Sequence, residues 1–238
     1  MMDDLGVFDP RRPTAKRPLL GMTVLVVEDS RFACEALRLM CLRSGARIRR
    51  ADSLAAAARH LKVYRPTAVI IDIGLPDGSG EDLIRDLAKA EPRVGILLGM
   101  SGDDGMAQRA IEAGADGFLA KPIQSLAAFQ ETILAAAPPS EHQLGPRIVS
   151  EEIVLPDISA YRDDIFFVSE LLNERQDGPT LDYIGQFLGG VARSVKDVQL
   201  EEAAGILLST PPGKGQRRAQ ATHILSLVHE RLDKQLAI

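Results

Sequence analysis

The chain has 238 residues, of which 45% are hydrophobic and 26% are charged, and its formal net charge is −5. This composition is typical of globular proteins, and the length allows one large domain or two of ordinary size. No apolar run reaches the ~18 residues needed to cross a bilayer, and residues 1–20 lack the apolar core of a secretion signal, so we expect a cytoplasmic protein without a membrane anchor.

Cys34 and Cys41 lie two turns apart on one predicted helix, where they cannot easily form a disulfide bond, so we expect free thiols.

The negative charge lies in the second half of the chain. Residues 1–140 carry 18 Lys and Arg against 18 Asp and Glu, whereas residues 141–238 carry 10 against 15. Domains that bind nucleic acid usually present a basic face. The acidic balance therefore argues against a C-terminal half that binds DNA, although it leaves room for a local basic patch.

Strand and helix patterns alternate regularly from Met22 onward. Apolar runs predict buried strands at 22–27, 67–72 and 93–99, an alternating pattern predicts an edge strand at 46–51, and a short strand is predicted at 116–121. Helical patterns fill the intervals, and the first of them has Ser30 as its cap and Gly45 as its stop. This alternation predicts an α/β fold with a doubly wound, five-stranded parallel sheet that is covered by helices on both faces.

The second half has a different pattern. Residues 138–159 are rich in proline and polar residues, which is typical of a linker. Helical patterns follow at 161–174, 180–197, 198–210 and 217–238; the second has Thr180 as a candidate cap, and the last has an apolar side that runs to Leu236. These patterns predict a small, all-α helical bundle.

Acidic side chains follow the predicted strands at their carboxyl ends, which is where doubly wound sheets bind ligands. Glu28 and Asp29 follow the first strand, and Asp72 ends the third, which is its neighbour in such a sheet. Three carboxylates this close would repel one another unless a cation lay between them. An open set of oxygen ligands suits Mg²⁺.

The other strand ends add a hydroxyl group, from Ser101, and an ammonium group, from Lys121. Together with a metal ion these groups suit phosphoryl transfer to a carboxylate, with Asp72 as the nucleophile. The loop that follows contains small residues that would let a phosphate donor approach, namely Gly74, Gly78 and Gly80.

These motifs resemble the receiver domain of two-component response regulators, of the kind found in chemotaxis receivers. "VEDS" resembles its acidic pair, "DIGLPDGSG" its phosphoacceptor loop, "MSG" its switch hydroxyl and "GADGFLAKPI" its lysine–proline signature. The resemblance implies a flavodoxin-like sheet of order 2-1-3-4-5. It also implies that a histidine kinase or a phosphotransfer protein phosphorylates Asp72, and that the chain catalyses only its own phosphorylation and dephosphorylation.

The resemblance further implies a ligand set for Mg²⁺, which consists of Glu28, Asp29, Asp72 and the backbone carbonyl of Gly74. It implies a switch in which the Ser101 hydroxyl moves toward the phosphoryl group and the Phe118 ring turns inward.

The chain departs from the family in three ways. Gly74 stands where a larger side chain is usual, which would leave the site more open, and Gly102 stands where alanine is common. Residues 122–137 contain no Lys or Arg, so the family's common dimer through this region is not assumed.

We therefore divide the chain into a flexible lead-in (1–20), a receiver domain (21–137), a linker (138–159) and a helical effector or interaction domain (160–238). The first hypothesis is a bacterial response regulator whose C-terminal helices contact a protein target or a second copy of the chain. An alternative is a transcriptional regulator that binds DNA, which Arg217 and Arg218 would support. A third is a phosphorelay protein that carries phosphate on His223 or His229.

Overall fold

The computed structural model of the protein describes residues 12–103, 105–138, 149–211 and 213–234. Within its first half lie the strands β1 (Thr23–Val27), β2 (Arg47–Ala51), β3 (Ala68–Asp72), β4 (Gly74–Leu75), β5 (Gly78–Ser79), β6 (Ile96–Ser101) and β7 (Gly117–Ala120). A parallel sheet has the order β2-β1-β3-β6-β7, and β4 pairs with β5 in a short antiparallel hairpin. Without the hairpin strands this is the predicted order, so the predicted doubly wound fold is confirmed.

Helices cover both faces of this sheet, and their bounds are α1 (Arg31–Ser44), α2 (Leu54–Val63), α3 (Gly80–Lys89), α4 (Met106–Ala113) and α5 (Leu126–Ala136). One face packs against α1 and α5 in a core that includes the fully buried Leu37 and Phe129. The other face packs against α2, α3 and α4 in a second core that includes Ile84. Neighbouring strand residues such as Val24 and Leu25 belong to different cores, because successive side chains of a strand point to opposite faces.

Helix α1 begins and ends at the predicted residues. The Ser30 hydroxyl accepts a hydrogen bond from Ala33 N at 3.0 Å, as an N-cap does. Gly45 ends the helix in the left-handed region, with φ at 85°, and its N–H donates to the carbonyl of Cys41. Cys34 and Cys41 are buried on this helix and are free thiols, which confirms the prediction.

The C-terminal half contains the helices α6 (Ile158–Glu174), α7 (Gly178–Val195), α8 (Val198–Ser209) and α9 (Lys214–Lys234). They share one apolar core that includes the fully buried Ile165 and Leu188, so the predicted helical region is confirmed. Helix α7 begins earlier than predicted, because its cap is Asp177 rather than Thr180. The Asp177 carboxylate accepts a hydrogen bond from Thr180 N at 3.0 Å.

The described part of the predicted linker packs against the first half of the chain. Val154 is 1% exposed and belongs to the core beneath α1 and α5, and its N–H donates to Gln124 O at 2.8 Å. Arg43 and Glu152 form an ion pair at 2.7 Å beside it. This segment is therefore held in place by packing and hydrogen bonds before α6 begins.

The domain boundaries inferred from the sequence stay predictions. Residues 1–11 of the lead-in, residues 139–148 of the linker and Leu236 of the last helical pattern lie outside the described residues. Among the helices that the structure describes, none combines the length and the apolar character that crossing a bilayer requires.

Candidate functional site

The predicted site residues lie at one edge of the sheet, around a cavity of about 460 Å³. Parallel strands all end at the same edge, and here β1, β3, β6 and β7 are neighbours. The cavity is lined by the residues that end or follow these strands: Glu28, Asp29, Asp72, Ser101 and Lys121. The fold thus brings together side chains that are far apart in the sequence.

Three carboxylates lie close together in this cavity. Glu28, Asp29 and Asp72 each offer one oxygen atom within 4.8 Å of the oxygen atoms of the other two. Burial raises the pKa of Glu28 well above its usual value, and it raises the pKa of Asp29 to about 6. The negative charge of Asp72 acts on both in the same direction, so the cluster favours the binding of a cation.

Lys121 supplies one positive charge to this cluster. Its Nζ atom is 2.6 Å from Glu28 Oε2 and donates a hydrogen bond to Asp72 Oδ2 at 2.9 Å. Burial by itself would lower the pKa of Lys121, but the charges of Asp72 and Glu28 outweigh burial and raise that pKa. Lys121 is therefore protonated at neutral pH, and it supplies one positive charge to a cluster of three acidic side chains.

The donor atoms of the cluster fit Mg²⁺. All of them are oxygens, which Mg²⁺ prefers, and the cavity has space for the water molecules that this ion retains. Glu28 is 1% exposed and its Oε2 atom lies 2.6 Å from Lys121 Nζ, so this carboxylate is held at the centre of the cluster. Gly74, whose backbone carbonyl is the fourth predicted ligand, lines the same cavity.

Ser101 and Phe118, the predicted switch residues, lie on neighbouring strands. The Ser101 hydroxyl accepts a hydrogen bond from Asp103 N at 3.1 Å. Phe118 pairs with Gly99 across β6 and β7, and a Cβ atom at position 99 would lie 3.4 Å from Phe118 Cδ2. Both side chains are partly exposed, and their role as a switch stays a prediction.

Two glycines of the loop after Asp72 lie where a larger side chain would clash. A Cβ atom at Gly80 would overlap the carbonyl oxygen of Asp72, so a larger residue does not fit there. At Gly78, φ is +152° and a Cβ atom would lie 2.8 Å from Leu54 Cδ1. Both positions thus require glycine for packing, and their part in the approach of a phosphate donor stays a prediction.

Helix α7 lines the opposite side of the cavity, which the sequence did not predict. The Tyr183 hydroxyl donates a hydrogen bond to Asp29 Oδ2 at 2.5 Å. Arg193 Nη1 donates to the carbonyl oxygen of Gly102, also at 2.5 Å. The C-terminal half thus contacts a predicted metal ligand and the residue that follows Ser101.

The same helix covers the loop at Gly74. A Cβ atom at Gly74 would lie 3.4 Å from Gln186 Oε1, so the site is not left as open there as the sequence predicted. Tyr183, Gln186 and Arg193 recur at helical spacing and lie on one side of α7. Gly190 lies between Gln186 and Arg193, although glycine is unfavourable inside a helix. Polar residues on one side of a helix, together with such a glycine, were the feature of the sequence that could have indicated a contact there.

Sequence comparisons match the first half of the chain to known proteins. The family model described as the response regulator receiver domain matches residues 24–133. Chemotaxis protein CheY of Thermotoga maritima is 31% identical over 107 residues, which cover 44% of this chain and 89% of CheY. The KDP operon transcriptional regulatory protein KdpE of Escherichia coli is 34% identical over 99 residues, which cover 42% of this chain and only 44% of KdpE.

Among solved structures, that of a two-component response regulator from Clostridium difficile is 20% identical, with a TM-score of 0.44. The similarity covers 48% of this chain and 94% of that one. The sequence match to CheY spans most of that relative, and it falls on the part of the chain that holds the carboxylate cluster. The chain therefore belongs to the response regulators, through a receiver domain in its N-terminal half.

Proposed function

We propose that this chain is a response regulator that receives a phosphoryl group on Asp72 and signals through its C-terminal helices. The observation that carries the proposal is the presence of Glu28, Asp29, Asp72 and Lys121 around one cavity. An isolated aspartate at the end of a strand has many ordinary roles. An aspartate that forms an ion pair with a largely buried ammonium group, within an oxygen-only acidic cluster, has the surroundings that phosphoryl transfer requires.

The proposed reaction uses a carboxylate oxygen of Asp72 as the nucleophile. A P–O bond forms to Asp72 while the bond from phosphorus to the donor's leaving group breaks, and the leaving group takes the electron pair. Lys121 Nζ, at 2.9 Å from Asp72 Oδ2, would balance the charge on the phosphoryl oxygens. The Ser101 hydroxyl, on the neighbouring strand, would donate a hydrogen bond to one of these oxygens.

We propose Mg²⁺ as the cation and four groups as its protein ligands: the carboxylates of Glu28, Asp29 and Asp72 and the carbonyl of Gly74. When bound, the ion supplies positive charge beside the phosphoryl group. The donor would be the phosphohistidine of a histidine kinase or of a phosphotransfer protein, which implies a cytoplasmic location. The site would act only on the chain itself, by phosphorylation and dephosphorylation.

For the C-terminal helices we propose contact with protein rather than with DNA. Arg217, one of two arginines that would favour DNA binding, is 6% exposed and forms an ion pair with Asp182. A buried and paired guanidinium group is not available to a phosphate backbone. Residues 141–238 also carry 10 basic against 15 acidic side chains, and a salt-dependent gel shift with genomic DNA would test this part of the proposal.

Labelling with radioactive acetyl phosphate in the presence of Mg²⁺ tests the phosphorylation site. Asp72→Asn should lose the label, because an amide is not a nucleophile for phosphorus. Asp77→Asn is the matched control, since Asp77 lies in the same loop but accepts hydrogen bonds from Leu54 N and Ala55 N at 2.9 and 3.0 Å. This control should keep the label.

Two outcomes would contradict the proposal. One is equal labelling of Asp72→Asn and the unchanged chain. The other is a label that survives base and is lost in acid, which would assign the phosphate to a histidine. His229 Nε2 lies 3.2 Å from Ser169 Oγ, which is an ordinary partner for a helix histidine.

A further inference from the structure

The helical half is attached to the receiver half at the start of α1. Asp164 of α6, which is 2% exposed, accepts hydrogen bonds from Ser30 Oγ and Arg31 N, both at 2.7 Å. Phe32 packs against Tyr161, with ring centroids 6.4 Å apart, and belongs to the apolar core of the helical bundle. The hydrogen bonds and the ring contact of this attachment do not use the three carboxylates of the cavity.

A second attachment engages the cavity itself, through Tyr183 and Asp29. Burial raises the pKa of the Tyr183 hydroxyl, so this group is a protonated donor at neutral pH. Burial is the main influence on the pKa of Asp29 and raises it, whereas the hydrogen bond from Tyr183 acts in the opposite direction. The Tyr183 hydroxyl therefore occupies Asp29 Oδ2, an oxygen of a proposed metal ligand, from the side of α7.

The Asp29 carboxylate cannot bind a metal ion and accept the hydrogen bond from Tyr183 equally well. A divalent ion withdraws negative charge from both oxygens of a carboxylate that it binds, which weakens the hydrogen bond that either oxygen accepts. Mg²⁺ also needs near-octahedral geometry at about 2.0–2.1 Å and keeps several water molecules. Gln186, Gly190 and Arg193 of α7 line the cavity in which the ion and its waters would need space.

We propose that Tyr183 and Mg²⁺ compete for Asp29, so that contact of α7 with the cavity and loading of the phosphorylation site oppose each other. This inference rests on the proposed function and adds its regulation. Coupling between two binding events is reciprocal, so the ion weakens the α7 contact by the same factor by which α7 weakens ion binding. Arg193 extends the coupling to Ser101, because its guanidinium group bonds to the carbonyl of the next residue, Gly102.

Calorimetric titration of Mg²⁺ into the full chain at pH 8, without a phosphodonor, tests the competition. At this pH Asp29, whose pKa is about 6, is ionised. Tyr183→Phe keeps the ring and removes the hydroxyl, and its dissociation constant for Mg²⁺ should be lower by roughly 5- to 10-fold. Tyr161→Phe is the matched control. It removes a tyrosine hydroxyl of the same helical half, which donates a hydrogen bond to Asp197 Oδ2 at 3.1 Å. Its dissociation constant should equal that of the unchanged chain.

The possible results separate the two proposals. If Tyr183→Phe binds Mg²⁺ with unchanged or lower affinity, or if Tyr161→Phe shows the same gain, the competition is refuted while the phosphorylation site stands. If neither the unchanged chain nor Tyr183→Phe binds Mg²⁺, the metal site itself is refuted, and with it the proposed function.

Discussion

Asp164→Ala should lower the free energy of unfolding by about 3 kcal/mol, because it removes a buried acceptor that joins the two halves of the chain. The carboxylate accepts hydrogen bonds from Ser30 Oγ at 2.7 Å, Arg31 N at 2.7 Å and Phe32 N at 3.0 Å. The two N–H groups belong to the first turn of α1, where a helix supplies no partners of its own. A buried donor without a partner costs about 1–3 kcal/mol; the N–H of Phe32 is buried and that of Arg31 is partly buried, so the two together cost about 2–5 kcal/mol. Burial also raises the pKa of Asp164, so removal of a desolvated charge offsets part of this loss.

Asp163→Ala is the matched control for this experiment. Asp163, the preceding residue of α6, pairs with Arg31 at 2.9 Å, but its side chain is 52% exposed and that of Arg31 is 70% exposed. Such an exposed pair contributes about 0–1 kcal/mol. Urea unfolding followed by circular dichroism measures both losses from the shift of the midpoint at constant slope. Equal losses in the two variants would refute the argument that burial makes the Asp164 contact the stronger one.

Buried ionisable groups give two more expected outcomes. Because burial raises the pKa of Asp29 from 3.8 to about 6, the folded chain binds a proton that the unfolded chain has already released. The free energy of unfolding, measured in EDTA from urea midpoints, should therefore fall by about 1 kcal/mol as the pH rises from 5 to 7. In Asp29→Asn the contribution of Asp29 to this fall should be missing. A fall of the same size in the variant would show that Asp29 is not its source. Cys34 and Cys41 are 5% and 0% exposed, and burial raises the pKa of both thiols, to about 12 for Cys41. Both should react with a disulfide reagent at pH 8 only as fast as the chain opens, and rapid modification of the native protein would contradict their burial.

The sequence by itself determined the receiver half and most of its site. Strands that are buried on both faces appear in the sequence as continuous apolar runs, and the residue after each run must lie at the carboxyl edge of the sheet. Asp72 and Lys121 could therefore be assigned to one place although 49 residues separate them, and they form a hydrogen bond there. The cap at Ser30 and the stop at Gly45 were predictable for a similar reason, since both depend on local backbone geometry.

Only the tertiary structure decided what lies against this site. Tyr183 and Asp29 are 154 residues apart, and nothing local to either residue specifies the other. The apolar spacing of α7 identifies the side that packs into its own bundle, through residues such as Leu188, but it does not specify what the polar side contacts. Arg217 likewise looks like a solvated charge in the sequence and is buried against Asp182 in the fold. Periodicity reports which side of a helix avoids water, whereas contact between two folded halves depends on their shapes and on a few directional bonds.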